Sequence, residues 1–88
     1  MSKFLFAESG WRDYLYWQNT NRKTVEKINK PLKSIERDGA MNGEGKPEKL
    51  KHLTGAYSRR IDDTNRLIYQ VDGDIITIIQ CLKHYDDK

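Results

Sequence analysis

The chain has 88 residues, with 16 Lys and Arg against 13 Asp and Glu, a net charge of +3 and one cysteine. A chain of this length supports one domain, 1–88, which buries only about 60% of its unfolded surface; a deep enclosed pocket is excluded, and any site lies on a thin core. No stretch approaches the roughly 18 consecutive apolar residues of a membrane span, no Cys or His pair has metal-ligand spacing, and the lone Cys81 cannot close an intramolecular disulfide, so a membrane, a metal and a disulfide scaffold are not expected and the reducing cytoplasm is.

In chain order, Lys3 to Glu8 alternates apolar and polar residues with Phe4 and Phe6 on one face, which suits a short strand. This apolar run is also too short for the core of a signal peptide, so export by that route is not expected. Ser9 is placed to cap a helix over about 10–19. Trp11, Tyr14, Leu15, Trp17 and Gln18 give that helix an aromatic stripe, which reads as core packing before it reads as a base-stacking surface. Val25, Ile28, Leu32 and Ile35 recur at helical spacing and predict a second helix over 21–38, with a kink expected near Ile28 because Pro31 removes a backbone donor. The glycine-rich DGAMNGEGKP, 38–47, predicts a loop, and 48–54 carries no clear signal. YSRRID, RLIYQV and IITIIQCL then predict a three-strand meander with Asp72 and Gly73 as a tight hairpin turn. Two helices on one face of an antiparallel sheet make an α+β domain.

Lys46, Lys49, Lys51, His52, Arg59 and Arg60 stand against the single acid Glu48 within 46–60, a clear local excess of positive charge. Such a strip admits a polyanionic partner without proving one. A two-residue hairpin loop at Asp72 and Gly73 would pair Arg66 near Ile79 and bring the Arg66 end of one strand toward the His84 end of the next. A carboxylate, a guanidinium and an imidazole would then share one rim. These are the groups that cut RNA without a metal: a base for the 2′-hydroxyl, a cation for the phosphorane and an acid for the leaving 5′-oxygen. Taken singly, each is equally an ordinary solvated charge.

The run GKPEKLKHLTGAYSRRIDDTNRLIYQV, followed by a further strand and by HY, resembles the YoeB-type toxins of the RelE/ParE superfamily, and WRDYLYWQ and KINK extend the resemblance over residues 4–85. That resemblance implies a microbial-ribonuclease-like fold and a toxin of a type II toxin–antitoxin system that needs no cofactor. Such a toxin cleaves mRNA in the A site of the 70S ribosome and so inhibits translation. It also implies a YefM-like antitoxin that folds an acidic tail over the active surface and, by family habit, a homodimer. Matched position by position, Glu48 is the general base, Arg66 the transition-state cation, His84 the general acid and Tyr85 a substrate-orienting group. Lys51, Arg59 and Arg60 are expected on phosphates, and Lys46 and Lys49 complete the RNA-binding strip. Two other readings stay open on the residues alone: a ParE-like gyrase inhibitor that cuts nothing, and a non-enzymatic RNA- or ribosome-binding module. Neither requires an acid–base set.

Overall fold

The structure, a computed structural model, describes residues 3–43 and 47–83. Strand β1 (Lys3–Phe6) leads into helices α1 (Glu8–Thr20) and α2 (Arg22–Asp38), followed by strands β2 (Glu48–Lys49), β3 (Ala56–Arg60), β4 (Arg66–Asp72) and β5 (Ile75–Gln80). They form one five-stranded sheet in the order β1-β5-β4-β3-β2. The predicted α+β architecture stands, with one correction. The meander is antiparallel as expected, but β1 pairs with β5 in parallel, so the sheet is mixed.

Helix α1 starts before the expected cap. Ala7 precedes its first residue with extended backbone and gives no side-chain cap, while Ser9 lies inside the helix and donates its hydroxyl to the Ile79 carbonyl at 2.6 Å. A serine oxygen that reaches a neighbouring strand has left the role of local cap. At the elbow between the helices Asn21 accepts from the backbone N–H groups of Lys23 and Thr24, satisfying donors the first turn of α2 cannot pair. Helix α2 runs unbroken through Pro31, whose ring is buried, and ends at Gly39, where a φ of 95° suits glycine.

Ile28 and Ile35 of α2 pack with Leu67 and Tyr69 of β4, Ile76 and Ile78 of β5, and Cys81 to form the core, with Phe4, Phe6, Tyr14, Trp17 and Leu32 around it. Both helices therefore cover one face of the sheet. Tyr14 and Trp17 belong to that packing, as the stripe implied, whereas Trp11 sits at its margin, 48% exposed, with its ring edge-on to Phe6.

The β4–β5 hairpin corrects the expected register. Asp72 pairs with Ile75, so the loop is Gly73 and Asp74, and Gly73 takes the positive φ of 61° at its first position. Further along, Ile68 pairs with Gln80 and Tyr69 with Ile78, leaving Ile79 as an extra residue in a β-bulge. Both changes set later residues of the chain opposite the start of β4. The Arg66 N–H consequently donates to the Lys83 carbonyl at 3.0 Å, not to the neighbourhood of Ile79.

Candidate active surface

Successive strand residues point to opposite faces, so the side chains of β3 divide by parity. Tyr57 and Arg59 go to the helix side, where the Tyr57 ring stacks on Tyr69 at 5.8 Å. Ser58 and Arg60 go to the open side. The register sets Glu48 directly across from Ser58, and Arg60 directly across from Arg66. Arg66 reaches back along the sheet: its Nε donates to Ser58 Oγ at 2.5 Å and one Nη to the Ser58 carbonyl at 3.4 Å. Ser58, only 4% exposed, thus ties the guanidinium to the column that holds Glu48. Two strand spacings and a two-residue step along the strands, together about 12 Å, separate the backbones of Glu48 and Arg66. The segment after β2 folds back beside this face, where the Gln70 side chain donates to the Thr54 carbonyl at 2.9 Å.

Two guanidiniums directly opposite one another weaken a strand pair instead of supporting it. Arg60 is ion-paired to Asp63 at the rim, in a largely exposed contact that contributes little to stability. A fold that keeps like charges together on its open face, each a rigid fork of donors, presents a geometry matched to an oxyanion such as phosphate.

The end of β5 is held from two sides. From the helix layer, the Asp13 carboxylate accepts from the Cys81 N–H at 3.1 Å and the Trp17 indole donates to the Cys81 carbonyl at 2.8 Å. From the residue just before β4, Asn65 Oδ1 accepts from the Lys83 N–H at 2.7 Å. Burial, reinforced by the nearby Asp13 charge, pushes the Cys81 thiol up to about 12. Burial also works to raise Asp62, but hydrogen bonds from Thr64 and Asn65 outweigh it and hold that carboxyl below its ordinary value. Among the described residues no three His, Cys, Asp or Glu side chains gather as metal ligands would.

The family model described as "YoeB-like toxin of bacterial type II toxin-antitoxin system" matches residues 6–85. The chain belongs to the YoeB-like toxins. It is 46% identical over 84 residues to toxin YoeB of Escherichia coli K12, covering 94% of this chain and 99% of the relative. Among solved structures, YoeB in the YoeB-YefM complex from Staphylococcus aureus superposes with a TM-score of 0.87 at 51% identity, over 97% of this chain and 99% of that one. The YoeB dimer from the same organism gives a TM-score of 0.88 at 49% identity, over 96% and 98% of the two chains.

In this YoeB-like toxin the residues expected from sequence distribute unevenly. Glu48, Arg60 and Arg66 share the open face. Arg59 does not, and its expected role on phosphate is corrected. It is fully buried on the helix side, donating to the Tyr69 hydroxyl at 2.9 Å, to Ser34 Oγ at 3.1 Å and to the carbonyls of Gly39 and Ala40 at 2.8 and 3.1 Å. The guanidinium thereby sits against the carbonyl end of α2, where a cation is favoured. Lys49 pairs with Tyr57 and so points to the opposite side of the sheet from Glu48, away from Arg66. Lys51 is exposed on the segment after β2. Lys46, His84 and Tyr85 lie outside the described residues. Ser58 and Asn65 escaped the sequence reading. Ser58 was detectable by parity, since it stands two positions before Arg60; Asn65 contacts Lys83 only because of the bulge.

Proposed function

We propose that this toxin is a ribosome-dependent endoribonuclease that cleaves mRNA in the A site without a metal, and so inhibits translation in the cytoplasm. The observation that supports it best is the Arg60–Arg66 pair on the open face with Glu48 in the adjoining column. Glu48 removes the proton of the substrate's 2′-hydroxyl, and the 2′-oxygen attacks the adjacent phosphorus. The guanidiniums of Arg66 and Arg60 neutralise the charge on the phosphorane oxygens, a contribution that grows as charge develops there. The bond from phosphorus to the 5′-oxygen then breaks, and His84 supplies the proton to that leaving group while Tyr85 orients the nucleotide. A 2′,3′-cyclic phosphate remains on the upstream fragment. Lys51 and Lys46 supply phosphate attraction that is independent of sequence.

The partners follow from the Staphylococcus aureus relatives, solved with YefM and as a dimer. We assign this chain a YefM-like antitoxin and a homodimer on that ground. An acidic antitoxin tail laid over Arg60 and Arg66 would occupy the place of the RNA phosphates.

The test uses programmed ribosomes carrying an mRNA with a single deoxyribose on the 5′ side of the cut. Cleavage at that bond should stop, and Glu48→Ala should lower cleavage of the all-ribose message by about 10² to 10⁴. Persistent cutting at the deoxy position would mean that water or a protein group attacks, and the assignment of Glu48 would fail.

A further inference from the structure

Arginine carries its N–H donors on a rigid planar fork, but the long stem lets the fork swing unless something fixes it. Arg66 is fixed by a single residue. Arg60 stands directly across from it on β3, where like charges repel. The Arg66 side chain runs diagonally instead, two residues back along β3 to Ser58, within the reach of a long side chain on one face of a sheet. There two acceptors of one residue take two donors. Nε donates to Ser58 Oγ at 2.5 Å, and Nη2 donates to the Ser58 carbonyl at 3.4 Å.

The second bond is long and adds less strength than the first, but it adds direction. Nε and Nη2 form one edge of the guanidinium, and two contacts along one edge set the plane of the group as well as its place. The edge between Nη1 and Nη2 remains, a pair of parallel donors matched to two oxygens of a phosphate. Ser58 is itself anchored. It is 4% exposed and lies within the paired part of β3, across from Glu48 on one side and from Ile68 on the other. The strand that lies beside the carboxylate thus also sets the orientation of the cation.

We propose that Ser58 is a positioning residue for Arg66: it holds the Nε edge of the guanidinium so that the Nη1–Nη2 edge is presented to the scissile phosphate. The proposal rests on the reading of Arg66 as the transition-state cation. A swinging guanidinium still attracts the ground-state phosphate, whereas the charge that develops on the phosphorane oxygens is met in full only by a group already aligned with them. Losing Ser58 therefore lowers the rate of the chemical step and leaves substrate affinity nearly unchanged.

The experiment measures kcat and KM for cleavage of mRNA on programmed ribosomes, beside the urea midpoint of each variant and the Arg66 Nε–H signal in nitrogen-15 NMR spectra of the toxin. Ser58→Ala should lower kcat by about 10- to 100-fold with KM within about twofold of wild type. Ser58→Thr keeps the hydroxyl on a residue suited to strands and should recover most of that loss. Arg66→Lys keeps the charge without the Nε edge, so adding Ser58→Ala to it should lower kcat by less than about threefold, whereas a purely structural serine would cost the same factor in both backgrounds. The Arg66 Nε–H should exchange slowly with water in the wild type and as fast as an exposed arginine in Ser58→Ala. Arg66→Ala is run in parallel. If it cleaves at the wild-type rate, the functional reading itself fails and the proposal with it. If it is inactive while folded Ser58→Ala keeps wild-type kcat, loses efficiency through KM alone, or costs its full factor again beside Arg66→Lys, the positioning role of Ser58 is overturned. An Nε–H equally protected in wild type and Ser58→Ala would overturn it without reference to cleavage.

Discussion

Arg59 and Arg60 are covalent neighbours with the same chemistry, and one strand step sends them to opposite environments. Arg59 saturates acceptors from Ser34, Gly39, Ala40 and Tyr69 inside the protein, whereas Arg60 meets Asp63 at the surface. Arg59→Ala strands those acceptors without water. It should destabilise the fold by about 2–4 kcal/mol, read as a lower urea midpoint, while Arg60→Ala should stay within about 0.5 kcal/mol and instead weaken binding to RNA. Reversed magnitudes would show that the parity assignment is wrong. Cys81 gives a second residue-scale expectation. Its buried thiol, pushed up to about 12, should resist iodoacetamide at pH 8 in the native protein and react promptly in urea. Because the native thiol ionises later than the unfolded one, this contribution to stability is complete below about pH 9 and is lost as the pH rises above it. Rapid native labelling would indicate that the end of β5 opens readily.

Among the elements, the contact between α1 and β5 governs how the end of β5 is held. Gly10 is where they touch: a Cβ built there would stand 2.2 Å from the Ile78 carbonyl oxygen. That neighbour is backbone, so relief requires α1 to move off the strand, and with it Ser9, Asp13 and Trp17, which hold Ile79 and Cys81. Gly10→Ala should therefore lower stability by roughly 1–3 kcal/mol. It should also reduce cleavage at protein concentrations and temperatures where the variant remains folded, measured as single-turnover rate beside the urea midpoint. An unchanged rate in a destabilised protein would mean that the α1 contacts stabilise β5 without directing its end.

For the molecule as a whole, acid should be the condition that loosens the site first. Asp62 has its carboxyl lowered by the Thr64 and Asn65 hydrogen bonds against the effect of burial, and Asp38 is lowered chiefly by its bond to Arg37. A carboxyl whose folded value lies below its unfolded one contributes stability that is present above the unfolded value, near pH 4, and is lost as the pH falls through the folded value. The thermal midpoint should thus be nearly flat from pH 7 to pH 5 and fall below about pH 4, with a shallower fall in Asp62→Asn. An identical acid slope in that variant would remove Asp62 from the account.

Periodicity and punctuation read along the chain were enough for two helices, a three-strand meander and an α+β class, because those signals are local: apolar spacing of three and four on α2, apolar runs on β4 and β5, glycine between them. The motif from Gly45 to Val71 was equally legible, and with it the family. Tertiary structure decided what depends on counting across strands. The turn moved by one residue and the bulge at Ile79 added another, and only the paired ladder reveals such a shift, because each strand read alone is the same apolar run in either register. That shift sets Arg66 and Asn65 against Lys83. Parity against a neighbouring strand likewise sent Arg59 to the core and Lys49 to the far face, while Ser58 came to hold Arg66. A sequence names the charges near a site; the pleat and the register decide which of them face the same side.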